Sequence, residues 1–387
     1  MKIVIGKMKQ FIHRIGLYGL FFIFIVVVFS GISAKNVFKF WIEDEADYNE
    51  WSVELGKKGE NDFVNHFCGK KEFVNFNGFV RNMLGQREMN GVIKLNNGYL
   101  CTTYEYESDE VLKEKVDNLY GLKRYLEEQN IPILFASAPY TVSKFDPQLP
   151  IGVEDYGNDN LDRFIRMAED AGIETMDFRE IMHEEGIDQY EMMYRTDHHW
   201  TTQAGFYAAE KISEWIEQKT AARVDEEVFD LDNYTLTSYE EWHLGSRGQR
   251  TGKYFAGIDD FMLITPDFDT SLICEGREGS FEELVINIEP LQNREYTSRY
   301  TYDHVLENAL KKYENPNALN DTKVLVVTDS FGSAVLPYLL LSYSEVCTRY
   351  RSPVTRTYIE EYDPDVVIVL RYPDYVMGSG FNFWEDR

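Results

Sequence analysis

From Lys323 to Leu341 the chain reads KVLVVTDSFGSAVLPYLLL. An apolar run of strand length ends at Thr328-Asp329, Ser330 opens a turn, and a second apolar run of helical length begins near Gly332. Two further runs, IPILFASA from Ile131 to Ala138 and VVIVLRY ending at Tyr372, also read as buried parallel strands. Helical stretches are expected at 159–172, 202–218 and 332–342. From Ser108 to Asn130, Leu112, Val116, Leu119, Tyr120 and Leu126 fall at near-helical spacing. Strand and helix alternate, which predicts an α/β fold: a three-layer α/β/α domain on a parallel sheet, with ligands at the carboxyl ends of the strands. Before it, FVNFNGFVRNMLGQREMNGVIKLNNGYL from Phe73 is rich in Asn and Gly and reads as turns and small strands.

Ser330 is thus expected at the functional edge of the sheet. A serine hydroxyl is a weak nucleophile until a neighbouring base takes its proton, and N–H groups at a helix start can stabilise an oxyanion. Asp329 or Ser330 can equally serve as a helix cap. The base is sought in YRTDHHWTTQAG, Tyr194 to Gly205. If the chain is extended there, Asp197 and His199 project to one side while His198 points away. A carboxylate bonded to one imidazole nitrogen fixes the tautomer and leaves the other nitrogen as a general base. Thr201 or Thr202 is placed to cap a following helix with Ala208, Ile212 and Trp215 as its core stripe. The same residues also suit a metal-ligand cluster or a hydrogen-bonded turn. Among the remaining histidines, His66, His183, His243 and His304 show no HxH or HExxH spacing that would complete a metal site.

Taken together, DHHW at 197–200 and TDSFG at 328–332 resemble the DHHW family and the SGNH-type proteins that O-acetylate alginate and similar exopolysaccharides. In those proteins an Asp-x-His-Trp block precedes the serine block, as here. The resemblance runs from about Phe73 to the C-terminus. It implies Ser330 as nucleophile, His199 as base and acid, and Asp197 as the orienting carboxylate, with no metal and no organic cofactor. It also implies a membrane-bound O-acyltransferase as partner and a polysaccharide as substrate. The Gly and Asn blocks that complete the oxyanion hole in ordinary SGNH enzymes are not recognisable. Candidates in their place are the N–H groups of Ser330 and Phe331 and the loop HLGSRGQRTG, His243 to Gly252, which contains Gly245. From Trp242 to Ile258 this region holds Arg247, Arg250 and Lys253 and no acidic residue, a composition suited to a glycan or carboxylate or simply to a solvated loop. Arg371 and Tyr372, at the end of the last predicted strand, are further pocket candidates.

The expected activity is transfer or removal of an acetyl ester on an extracellular polysaccharide through an acyl-serine intermediate. A non-catalytic polysaccharide-binding or assembly subunit and a metal-dependent hydrolase are the alternatives. The N-terminal sequence sets the expected location. From Ile15 to Ala34, IGLYGLFFIFIVVVFSGISA carries no charge and is long enough to span a bilayer. Lys2, Lys7, Lys9 and Arg14 precede it and favour a cytoplasmic N-terminus. A retained single-pass anchor is expected, with a cleaved signal peptide as the competing reading. The predicted organisation is a tail at 1–14, the transmembrane helix at 15–34, a lead-in at 35–72 and the domain at 73–387. The formal net charge of −27 argues against nucleic acid as a partner. Cys68, Cys101, Cys274 and Cys347 are too widely spaced for a zinc ribbon or CxxC motif and read mostly as buried thiols.

Overall fold

The computed structural model describes residues 69–292, 302–306, 310–374 and 382–386. The expected anchor at 15–34, the tail before it and most of the lead-in lie outside the described residues. Among the described residues no helix is long and apolar enough to cross a membrane. Cys101 and Cys347 are free, buried thiols, and Cys274 is buried.

The first described element is helix α1, Lys70–Met83, where turns had been expected. Asn75, Asn77 and Gly78 are turn formers, but their propensity is a weak prior. Phe73, Phe76, Phe79 and Met83 recur at three- and four-residue spacing, a helical period that the Asn and Gly signals masked. The chain divides into two units between Asn77 and Gly78, within α1; the sheets and the site belong to the second, Gly78–Arg387. Three short strands follow as expected, β1 (Glu88–Met89), β2 (Val92–Lys94) and β3 (Leu100–Cys101), paired antiparallel.

The expected alternation then begins: α2 (Asp109–Glu128), β4 (Ile133–Ser137), α3 (Gly157–Asp170), β5 (Glu174–Asp177), α4 (Phe178–Glu184) and α5 (Thr202–Lys219). A two-stranded ribbon comes next, β6 (Tyr234–His243) with β7 (Asp259–Pro266), enclosing the short helix α6 (Ser246–Thr251). After β8 (Leu272–Cys274), β9 (Arg277–Gly279) and β10 (Leu310–Glu314) come β11 (Lys323–Thr328), α7 (Gly332–Ser342) and β12 (Glu345–Tyr350). The chain continues through β13 (Val354–Thr355), α8 (Arg356–Tyr362) and β14 (Val366–Arg371) to β15 (Trp384–Glu385), which pairs with β13.

Eight strands form the main sheet in the order β5-β4-β14-β11-β12-β10-β8-β9. The first five are mutually parallel. Strands β10, β8 and β9 join them antiparallel, so the sheet is mixed rather than wholly parallel. The reason is connectivity: parallel neighbours need a long crossover, whereas β8 returns into β9 through Glu275-Gly276 alone and therefore runs against it.

Side-chain alternation along the central strands builds two cores. Val324, Val326, Ile368 and Leu370 face α5 and α7, packing with Ala208, Ile212, Val335 and Leu339. Leu325, Val327, Val367 and Val369 face α2, α3 and α8, packing with Leu119, Phe164 and Ile359. This gives the three layers. It also places the ends of β4, β14 and β11 on one edge, where Thr141, Tyr372 and Ser330 follow them.

Candidate active site

The DHHW segment is a tight loop, not an extended stretch. The Tyr194 N–H donates to the His199 carbonyl (3.1 Å) and the Thr201 N–H to the Met192 carbonyl (2.9 Å). Inside the loop the Asp197 carboxylate bends the chain back on itself: its Oδ1 accepts the N–H groups of His198 (2.6 Å) and His199 (3.2 Å). The Thr201 hydroxyl then caps α5 by accepting from the Ala204 N–H (3.2 Å). The helix stripe Ala208, Ile212 and Trp215 is buried as expected, so the loop is held at the rigid start of a packed element.

His199 Nδ1 lies 2.8 Å from Asp197 Oδ1, and His199 Nε2 lies 2.7 Å from Ser330 Oγ. A carboxylate only accepts, so the imidazole proton sits on Nδ1 and Nε2 offers its lone pair to the serine O–H. Two segments 131 residues apart thus meet as one hydrogen-bonded chain. They are locked by Trp200, whose indole N–H donates to the Phe331 carbonyl (3.0 Å). Asp197 is fully buried and His199 nearly so. Burial alone would raise the Asp197 carboxyl, but His199 opposite it and the bonds it accepts bring it well below the usual carboxylate range. For His199, burial and the neighbouring His198 outweigh Asp197, and its pKa falls to about 4.

Gly245 and Ser246 enclose this carboxylate from the β6–α6 side, and Arg247 reaches the Asp197 backbone carbonyl. The Ser246 N–H donates to Asp197 Oδ2 (2.7 Å), and the Gly245 N–H donates to the Thr196 hydroxyl (2.9 Å). Thr196 itself donates through its hydroxyl (2.6 Å) and its N–H (2.8 Å) to Asp259 Oδ2. Arg247 is buried, with no carboxylate among the groups it bonds. Its guanidinium donates to the Leu100 carbonyl (2.8 Å), the Thr141 hydroxyl (2.7 Å) and the Asp197 carbonyl (3.2 Å), with longer contacts at 3.5 Å to the Thr102 and Tyr372 hydroxyls. These acceptors fit a planar fork and not a point charge, so Arg247→Lys is expected to lower the unfolding free energy by about 2 kcal/mol, read from urea denaturation midpoints.

Asp329 is buried beneath the serine turn. Its Oδ1 accepts the Phe331 N–H (2.8 Å) and its Oδ2 the Tyr372 N–H (2.7 Å). Burial raises its carboxyl pKa against the opposing pull of Arg371 and these two donors. It therefore ties the ends of β11 and β14 together, and α7 begins without a side-chain cap. The Phe331 N–H, one of the two expected oxyanion donors at this turn, is committed to Asp329; among the described residues no acceptor meets the Ser330 N–H. Gly245 is likewise committed, through its N–H to Thr196.

Of the remaining predicted residues, Tyr372 lies against Phe331 with ring centroids 4.5 Å apart and planes at 13°. Arg371 is buried at the end of β14. Arg250 is not in this network: it donates to the Asn90 carbonyl (2.6 Å), while the Asn90 amide donates to the Arg250 carbonyl (2.7 Å), tying α6 to the β1–β2 turn. The basic loop thus splits into an inward Arg247 and an outward Arg250 and presents no joint cationic face. His198 departs from expectation too. It turns toward Asp197 because the loop is curled, and its Nδ1 lies 3.0 Å from Asp197 Oδ1. Thr196, Thr141, Ser246 and Asp259 were not found from sequence; as isolated polar residues they leave no spacing signal.

Asp197, His198 and His199 each offer a ligand atom, all within 4.8 Å of one another. The atoms of this cluster are already engaged within the protein at several points. Both Asp197 oxygens already accept N–H groups, and His199 uses one nitrogen on Asp197 and the other on Ser330.

Residues 97–241 match the family model described as the SGNH hydrolase-like domain of acetyltransferase AlgX. Over that stretch the chain is similar to an SGNH hydrolase-like domain. The matched stretch includes the DHHW loop, and the resemblance read from DHHW and TDSFG is upheld. Among solved structures, Bacillus cereus PatB1 with a sulfonyl adduct is similar at 21% identity and a TM-score of 0.61, with 77% of this chain and 100% of that one covered. A DHHW family protein from Eubacterium siraeum is similar at 16% identity and a TM-score of 0.55, over 76% and 94% of the two chains. At these identities the likeness is one of fold alone. No curated protein matches the sequence.

Proposed function

We propose that the protein is an O-acetyltransferase or acetylesterase that works through an acyl-serine on Ser330 and acts on an extracellular polysaccharide. The observation that carries this reading is the chain Ser330 Oγ to His199 Nε2 (2.7 Å) and His199 Nδ1 to Asp197 Oδ1 (2.8 Å) at the carboxyl edge of the sheet. The acetyltransferase family model supports the reaction class. Sulfonyl reagents react with activated serine hydroxyls, and the similar PatB1 was captured as a sulfonyl adduct.

In this mechanism His199 takes the proton of Ser330 as Oγ attacks the acetyl carbonyl, and Asp197 stabilises the imidazolium that forms. The Ser330 N–H is the candidate donor to the developing oxyanion. His199 returns its proton to the leaving group, then takes one from an incoming sugar hydroxyl or from water. The N-terminal apolar segment would hold this domain at the outer membrane face, where a membrane-bound O-acyltransferase would deliver the acetyl group.

The test is to treat full-length protein in detergent with phenylmethanesulfonyl fluoride and to follow p-nitrophenyl acetate turnover with and without EDTA. One sulfonyl group is expected on the Ser330 peptide, none on Ser330→Ala, with turnover indifferent to EDTA. Turnover lost to EDTA would move the reading to metal-dependent hydrolysis, and a folded protein with neither label nor turnover to a binding subunit.

A further inference from the structure

The middle residue of the DHHW loop is unused by the mechanism above, yet it is held as carefully as its neighbour. The His198 ring lies 3.9 Å, centroid to centroid, from that of His199, with planes at 39°. Its Nδ1 is 3.0 Å from Asp197 Oδ1 and 3.1 Å from Ser246 Oγ. An ionised carboxylate has no proton to give and repels a bare nitrogen lone pair, so the His198 proton sits on Nδ1 and its Nε2 is an acceptor. Both imidazoles therefore hang from one carboxylate oxygen, each with its Nε2 directed away from it. His199 Nε2 is engaged by Ser330; His198 Nε2 meets no protein partner among the described residues. The His198 side chain is 30% exposed against 8% for His199. Phe331 and Tyr372 flank its ring, at 6.0 and 5.7 Å between centroids. A histidine kept only to brace the loop would need neither an oriented outward lone pair nor solvent contact beside the nucleophile.

We propose that His198 binds the acyl acceptor: its Nε2 accepts a hydrogen bond from a second hydroxyl, adjacent to the one that attacks, so the acceptor class is a vicinal diol such as a sugar presents. This rests on the acyl-serine reading. In the transfer step the attacking oxygen bonds to the acetyl carbonyl carbon and its proton passes to His199 Nε2. The carbon–Oγ bond then breaks and Ser330 Oγ takes that proton back from His199. His198 gains and loses none; it fixes the neighbouring hydroxyl and so favours a diol over water or a simple alcohol.

The experiment uses full-length protein, p-nitrophenyl acetate as donor, and cis-1,2-cyclohexanediol and cyclohexanol as competing acceptors, with both acetyl esters quantified. The wild type is expected to favour the diol about tenfold, the worth of one good hydrogen bond, and His198→Ala is expected to lose that preference. The ratio is internal to each protein, so a general fall in rate does not disturb it. His198→Phe keeps a ring beside Phe331 and Tyr372 while removing both nitrogens; the same loss is expected there, which covers the case of an unfolded alanine variant. A diol preference within about twofold of the wild type's in the folded variants overturns the assignment. Ser330→Ala separates the two levels: transfer that persists in it sinks the acyl-serine reading itself, whereas a wild-type ratio at position 198 sinks only the diol site.

Discussion

His199→Ala is expected to slow acylation of Ser330 on the order of 10⁴-fold or more, because nucleophile and base act as a unit and removing either forfeits most of what the unit supplies. The measurement is kcat/KM for p-nitrophenyl acetate, with circular dichroism to show that the variant folds. The wild-type pH profile carries a linked expectation. Only neutral His199 accepts the serine proton, and burial together with His198 lowers its pKa to about 4. The rate should therefore stay flat from neutrality down toward pH 4 and fall about tenfold per unit below it. An acid limb near 6.5 would mean that the imbalance between burial and Asp197 is not as the geometry implies. The sign for stability is the same. An unfolded histidine binds its proton near pH 6.5, while the folded one does not until about 4. Between those values the unfolded state binds more protons, and folding stability declines as the pH falls through that window.

Gly245→Ala should damage the site more than the fold. Gly245 has φ −65°, open to any residue, so the obstacle is space: a Cβ there would lie 2.3 Å from both Cβ and Oδ2 of Asp197. Either the β6–α6 loop lifts, which costs the Ser246 N–H bond to Oδ2, or Asp197 shifts and carries His199 with it. Misplacement of about 1 Å can cost roughly 100-fold in rate, and overpacking costs about 1–3 kcal/mol. Gly205→Ala is the control. Its Cβ would meet the Ala334 carbonyl oxygen at 2.2 Å, where α5 crosses α7. It should lower the melting temperature while leaving the rate per folded molecule nearer to the wild type's. If the two variants lose activity in equal proportion to stability, Gly245 has no particular tie to Asp197.

Three of the five parallel strands, β4, β11 and β14, were legible because they are buried on both faces and so are written as unbroken apolar runs; β5 (ETMD) and β12 (EVCTRY) carry charged residues and were not read. Nor was the antiparallel half: LKKYE carries three charged residues, LIC is only three residues long, and the pairing of the two joins segments far apart in sequence. Helix α1 was hidden because Asn75, Asn77 and Gly78 speak locally for turns while the periodic phenylalanines speak over a longer window. At the site, residue type and order sufficed to bring Asp197, His199 and Ser330 to notice. Direction did not follow, because the rule that alternate residues share a side assumes an extended chain, and the carboxylate of Asp197 curls this one. Arg247 and Arg250 looked alike in sequence, and only the three-dimensional path of α6 sends one inward and the other to Asn90.

Strand β14 is the last of the eight in sequence, yet it lies between β4 and β11. A chain emerging from its N-terminus would for some time hold two open sheet edges facing each other, one on β4 and one on β11, each able to recruit a stray strand. The insertion of Val366–Arg371 closes both at once, and the same event brings the Tyr372 N–H to Asp329 beneath the serine turn. Maturation of the site is thus coupled to the last strand of the main sheet. Chains cut short before Val366 should remain targets for chaperones and proteases, and should not accumulate as free-standing species with a primed serine.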